Sequence, residues 1–229
     1  NLTLRIKLMG LWKNFKSSPI NTVARWQDQR FLWLVMFVAM LGMVLLAHSF
    51  FQNYLHMAPC EQCVYIRFSM LVMALGGLIA AINPKNVINK LIGYIFGFYG
   101  AIIGIGYSVK LRAIHKAVHS DDPFAMMGMQ GCSTDPSFPF GLPLAKWAPD
   151  WFQPTGDCGY DAPIIPDGVT LNSIQEFFTN LYSEGWYLIP SMKFADMATC
   201  TLLAYIVAFA LLAVMFICWI INLLKAKKA

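Results

Sequence analysis

Pro59-Cys60-Glu61-Gln62-Cys63-Val64-Tyr65-Ile66-Arg67 holds a C-x-x-C pair with an arginine four residues after the second cysteine. One apolar run, residues 31–51, precedes this stretch and another, residues 68–82, follows it, so a thiol pair sits at the mouth of a hairpin of apolar segments. A C-x-x-C can close a reactive disulfide or supply half of a metal site. The compartment and the other cysteines decide between the two.

The chain has 229 residues, 58% of them hydrophobic and 13% charged. That charge content is about half that of an ordinary soluble domain, and it points to an integral membrane protein. The formal net charge of +5 gives no reason to invoke nucleic acid, because basic residues of a membrane protein gather in cytoplasmic loops and set its orientation.

Run length predicts four spans: residues 31–51, 64–82, 87–109 and 195–224. Each meets the requirement of about 20 residues for crossing about 30 Å of hydrocarbon. The expected fold class is therefore all-α, a four-helix membrane bundle. Residues 1–30 are expected as a poorly ordered cytoplasmic arm, with an amphipathic surface helix as the alternative. Residues 52–63 form the first outer loop, 83–86 a tight turn with Pro84, 110–194 a long outer loop and 225–229 a tail. In the third run Gly93/Gly97 and Gly100/Gly104 have the G-x-x-x-G spacing that lets helices approach closely.

Orientation follows from lysine and arginine. Arg5, Lys7, Lys13, Lys16, Arg25 and Arg30 precede the first span, Lys85 and Lys90 mark the second turn, and Lys225, Lys227 and Lys228 follow the last span. Both termini are therefore expected in the cytoplasm. The C-x-x-C and the long loop then share the outer, oxidising face, the periplasmic face of an inner membrane if the source is Gram-negative.

The long loop carries Cys132 and Cys158. A disulfide between them would close about 26 residues and contribute a few kcal/mol. Taken alone, that bridge is compatible with a purely structural role. The C-x-x-C constrains little chain, and such a pair commonly marks redox activity. A four-cysteine zinc site fits less well, because only one pair has the short spacing. Residues 171–182 repeat apolar positions at helical spacing and predict a short amphipathic helix on the outer membrane surface. Cys200 and Cys218 lie about 27 Å apart along one helix and cannot pair; they read as small hydrophobes.

Cys63 falls at the start of the second span, where free N–H groups and the helix dipole favour a thiolate. Arg67, one turn further on, shares its helix face. An arginine inside a span is costly and marks a functional site by default, snorkelling to the interface being its ordinary alternative. The functional reading has Arg67 hold a polarised oxygen near the Cys63 sulfur, and a lipid-soluble quinone is the natural acceptor at that depth.

Pro59-Cys60-x-x-Cys63-x-Tyr65-x-Arg67 resembles the signature of the DsbB-type quinone-dependent thiol oxidases. Leu142-Pro-Leu-Ala-Lys-Trp-Ala-Pro149, Gly156-Asp-Cys158 and Phe51-Gln52 also fit that family. Glu61-Gln62 between the cysteines, and about 25 extra residues after Cys158, look like its DsbI branch, which serves a thioredoxin-fold partner, DsbL. The resemblance implies that Cys132 takes the mixed disulfide with the partner, Cys158 passes the electrons to Cys60, and Cys63 faces a quinone (ubiquinone or menaquinone) with Arg67 near its oxygen. It implies a dithiol:quinone oxidoreductase that supports disulfide formation. The family's studied members carry a quinone-linked histidine late in span three. This chain has Lys110 and Leu111 there, with His115 and His119 further on, so that role is left unassigned. Two alternatives stay open. One is a tetraspan adaptor with structural disulfides. The other is an enzyme like the vitamin-K-epoxide reductases, although those place their C-x-x-C at the last span.

Overall fold

The computed structural model describes residues 16–122, 124 and 132–226. Most of the expected N-terminal arm, and Lys227 and Lys228, therefore lie outside the described residues. Within them runs α1 (Pro19–Trp26), then α2 (Arg30–Leu45), which continues as a π-helical stretch, Leu46–Tyr54. Next come α3 (Glu61–Ile82) and α4 (Val87–Val118). The outer region holds the short helices α5 (Leu144–Trp147) and α6 (Pro149–Phe152), then α7 (Ser173–Leu181). An antiparallel ribbon follows, β1 (Tyr187–Ile189) with β2 (Phe194–Asp196), leading directly into α8 (Met197–Ala226). Among the described residues, four segments are long and apolar enough to cross a membrane: α2 with its π extension, α3, α4 and α8. The chain is an all-α integral membrane protein carrying one small ribbon.

Several boundaries differ from the expected ones: α3 begins at Glu61 rather than residue 64, with Cys60 as its N-cap, and three others have clear physical reasons. The third span was expected to end at residue 109, but α4 runs to Val118. Lys110, Arg112 and Lys116 lower the hydropathy there, yet they are exposed on one face while Leu111, Ile114, His115 and Ala117 stay buried on the other. An amphipathic face holds a helix together after its average hydropathy has fallen. The first span continues through Gln52 to Tyr54 because those polar residues find partners in the long loop. The fourth begins at Met197, where the Asp196 carboxylate accepts the Thr199 N–H at 2.6 Å.

The bundle is built in chain order: α3 packs between α2 and α4, and α4 packs on α8. Close approach depends on glycine, and the two G-x-x-x-G pairs do not form one seam. A Cβ on Gly93 would lie 2.6 Å from that of Ala80, and one on Gly100 would lie 2.7 Å from the Ser69 carbonyl, both on α3. Gly97 instead faces Leu212, and Gly104 lies under the Tyr205 ring, both on α8. Positions seven apart differ by about 20° around the helix and face the same neighbour, while the offset of about 40° between positions four apart is enough here to turn the second of each pair to α8.

At the Lys85 end, the fully buried Gln27 ties three helices. Its amide donates to the Met215 carbonyl at 2.7 Å, its side-chain oxygen accepts from Tyr94 at 2.6 Å, and its backbone carbonyl accepts from Trp33 at 3.0 Å. Asp28 pairs with the buried Lys90 beside it. At the cysteine end, α7 begins with a capping box of Asn172 and Gln175. It docks Phe178 on Phe50 and leaves Ile174 and Phe177 exposed, the face expected to lie on the membrane.

Candidate disulfide and cavity site

The C-x-x-C is set by the start of α3. Cys60 is the N-cap, and its sulfur accepts the Cys63 N–H at 3.2 Å. Cys60 and Cys63 are joined as a disulfide, and so are Cys132 and Cys158. Cys60 and Cys158 are buried in one apolar cluster, with Cys63 and Cys132 packed against it. The loop therefore brings the second pair down onto the first.

Main-chain contacts hold the Cys158 arm there. The Pro59 carbonyl accepts from the N–H groups of Thr155 and Gly156 at 2.9 and 3.1 Å, and the His56 carbonyl accepts from Ile164 at 3.0 Å. A Cβ on Gly156 would stand 2.6 Å from the Ala58 carbonyl oxygen, so only glycine allows this approach.

Arg67 is 6% exposed. Its Nη1 donates to Gln52 Oε1 at 2.6 Å and to the Trp151 carbonyl at 3.3 Å. Gln52 in turn donates to the Asp150 carbonyl at 2.8 Å. The His48 ring stacks on Trp151 at 3.8 Å and its Nε2 lies 3.1 Å from the Asp150 carboxylate. The α6 turn is thus bolted across the ends of α2 and α3, with the guanidinium at the centre. This geometry does not match simple snorkelling, since the charge is turned into protein rather than water.

A cavity of about 280 Å³ opens beside these groups. Met43, Leu46, Ala47 and Phe51 of α2 and its π-helical extension, Cys60 with Cys63, Ile66, Arg67 and Met70 of α3, Leu111 and His115 of α4, and Met197, Ala198, Cys200, Thr201 and Ala204 of α8 line it. It occupies the gap between α2 and α8, which are not a packed pair among the described residues. Its walls are apolar apart from a few converging polar groups, the common form of a small-molecule site.

His115, which sequence reading left without a role, lines this cavity. Its Nδ1 lies 3.7 Å from the Asp196 carboxylate, and its Nε2 is buried with no hydrogen-bond partner. Asp161, half-buried in the stretch after Cys158, also lines the cavity. Burial pushes its carboxyl above the usual carboxylate range, against the opposing pull of His115 and of the Trp186 N–H. The signal for His115 was present in the sequence: Leu111, Ile114, His115 and Val118 continue the i, i+3, i+4, i+7 face of α4. Trp151 and Asp161 carried no such signal, because a loop aims them.

Comparison with known proteins gives the chain a family. The family described as disulfide bond formation protein DsbB matches residues 29–220. A DsbI relative from Campylobacter fetus subsp. fetus is 66% identical over 218 residues, covering 95% of this chain and all of the relative. The protein-disulfide oxidoreductase DsbI of Salmonella typhimurium is 60% identical over 222 residues, 96% of this chain and 99% of that protein. The protein of the same name from Lelliottia amnigena is 68% identical over 160 residues, 70% of this chain and 72% of that protein. Likeness of this extent sets aside the adaptor alternative. The chain belongs to the DsbB family of disulfide bond formation proteins, as a membrane-embedded protein-disulfide oxidoreductase of the DsbI kind.

Proposed function

We propose that this oxidoreductase reoxidises a periplasmic thioredoxin-fold thiol oxidase, a DsbL-like partner, and passes the electrons to a membrane quinone. The observation that carries the reading is the cavity, which has Cys63 and Arg67 in one apolar wall and opens where α2 and α8 leave a gap between spans. The partner's thiolate attacks Cys132, the Cys132–Cys158 bond breaks, and Cys158 leaves as a thiolate. The partner's second thiolate then releases it as a disulfide and frees Cys132. Cys158 next attacks Cys60, so that the C-x-x-C receives the electron pair. Each step is a thiolate attacking a disulfide sulfur, so reach and thiolate fraction set its rate.

A quinone bound in the cavity supplies a two-electron, two-proton acceptor. The residues present fit one. The Arg67 guanidinium is a planar donor fork, and the unpartnered His115 Nε2 is a second polar contact for a ring oxygen. Cys60 and Cys63 both line that space, and the reading assigns the ring contact to Cys63, which lies at the helix N-terminus. The proposed location is the inner membrane, multi-pass, with the Lys85 end and both termini cytoplasmic and both disulfides periplasmic. The lysine and arginine distribution supports this orientation.

The test is the absorbance spectrum of the purified protein with quinone added and the C-x-x-C reduced. A red-shifted band is expected from contact between the Cys63 thiolate and the ring, and Cys63→Ser abolishes it. A spectrum identical in wild type and Cys63→Ser refutes the proposed contact.

A further inference from the structure

Both arms of the long loop dock on residues flanking Cys60, but by different means. The Cys158 arm is held by main chain on main chain, through the Pro59 carbonyl. The Cys132 arm is held by a side chain. Glu61, 9% exposed and placed between the two cysteines, accepts the Ser133 N–H on Oε2 at 2.9 Å. Its Oε1 accepts from the Tyr65 hydroxyl at 3.0 Å, and the Tyr65 oxygen accepts the Ser137 N–H at 2.8 Å. Phe138 closes the segment by packing among Tyr65, Phe68 and Phe152. Ser133 directly follows Cys132, so this clasp acts one residue from the sulfur.

We infer that Glu61 is the positioning residue that keeps Cys132 within reach of Cys158 while no bond joins them; the inference rests on the electron route proposed above. When the Cys158 thiolate attacks Cys60, the Cys60–Cys63 bond breaks, a Cys60–Cys158 bond forms and Cys63 leaves as a thiolate. For the electron pair to stay on the C-x-x-C, the Cys132 thiolate must then attack the Cys158 sulfur. That step re-forms Cys132–Cys158 and releases Cys60 as a thiolate. During this interval Cys132 carries no covalent link to its target. A tethered nucleophile owes its rate to how closely it is held. Here the hold nearest the sulfur is one carboxylate oxygen on the adjoining amide, with the Gln153 amide on the Thr134 carbonyl, the Tyr65–Ser137 bond and Phe138 holding the segment behind it.

The required property is reach, not charge, and two variants separate them. Glu61→Asp keeps the charge and shortens the side chain by one methylene. Glu61→Gln loses the charge and keeps an acceptor oxygen at the same reach. The full-length protein is mixed with a reduced thioredoxin-fold dithiol protein without quinone, acid-quenched at intervals, alkylated and mapped by mass spectrometry. Glu61→Asp is expected to prolong the Cys60–Cys158 species about fivefold, which is what one lost ordinary hydrogen bond gives. Glu61→Gln is expected to match wild type. A normal lifetime in Glu61→Asp overturns the inference, and so does a prolonged one in Glu61→Gln. If wild type forms no Cys60–Cys158 species while its partner is oxidised, the electron route itself fails, and the clasp with it.

Discussion

Replacing Arg67 separates its two tasks, because the structure shows one of them and the proposal adds the other. The guanidinium holds Gln52 and the Trp151 carbonyl through Nη1 alone, and it lines the cavity. Arg67→Lys keeps the charge but replaces the planar fork with a single ammonium, so it cannot serve both protein acceptors and a ligand oxygen in the same geometry. Arg67→Met removes every donor and leaves an apolar stem of similar length. A hydrogen bond to a charged group contributes about 1.5–3 kcal/mol, which is roughly ten- to a hundredfold in affinity. The apparent KM for quinone, measured during oxidation of a reduced thioredoxin-fold protein, should therefore rise about tenfold in Arg67→Lys and up to about a hundredfold in Arg67→Met. Gln52→Leu is the control. It cuts the bond from the guanidinium to α2 and leaves Arg67 in the wall, so it should loosen residues 149–152 to hydrogen exchange with a much smaller change in KM. If Arg67→Met leaves KM and the maximal rate unchanged, Arg67 only fastens the loop. If Gln52→Leu raises KM as far as Arg67→Met does, its effect on quinone is indirect.

Two further outcomes follow from the same geometry. Cys158→Ala leaves Cys132 without its internal partner, so a mixed disulfide between Cys132 and the thioredoxin-fold protein should accumulate on non-reducing gels; accumulation in Cys63→Ala but not in Cys158→Ala would reverse the proposed order. Asp161, whose pKa burial holds above the ordinary carboxylate value of about 3.9, contributes stability that is fully present below that value and is lost as pH rises through the folded-state pKa. Asp161→Asn, a permanent mimic of the neutral form, should thus melt with wild type below about pH 4 and above wild type at pH 7; a variant less stable at pH 7 would show that the carboxylate is held by its partners more than it is penalised by burial.

The parts of the fold legible in the sequence are those that answer to the solvent. A run such as residues 64–82 has one stable place, so span number and class follow from hydropathy alone. The C-x-x-C with Arg67 stood out in the sequence as a candidate site because so short a thiol pair constrains little chain and a charge inside a span is expensive. Lys110 ended the apolar run at residue 109, which hid the two and a half helical turns that bring His115 to the cavity. The contacts of the long loop were not legible. Nothing local announces that Trp151 offers its carbonyl to Arg67, or that Ser133 offers its amide to Glu61, since the partners are 84 and 72 residues apart. The ribbon that leads into α8 was missed for a related reason: three-residue strands carry too little alternation to register.

The two ends of the bundle are held in different ways, and the difference suits the chemistry. At the Lys85 end the hold is redundant: Gln27 joins α1, α2, α4 and α8, Gly76 and Gly93 let α3 and α4 touch, and Ser69 meets the Tyr205 hydroxyl nearer the middle. At the cysteine end, packing is given up to leave a cavity, whose wall atoms lose dispersion contacts. The π-helical end of α2 is what opens this end without releasing it. A hydrogen bond from i to i+5 widens the turn, and such turns gather at functional sites. It sets Ala47 and Phe51 in the cavity wall, while Asn53 meets His48, and His48 and Gln52 both meet Asp150 of the α6 turn. Phe50 and Tyr54 are left to receive α7. Three tasks are thus met within two turns of one helix: walling the cavity, holding the loop that carries Cys158, and seating the stretch that follows it. A regular α-helix spaces neighbours at three and four residues, and it would turn Asn53 away from His48. The irregular segment is therefore what joins the membrane bundle to the outer region that carries Cys132 and Cys158, the pair to which the proposed route assigns the exchange.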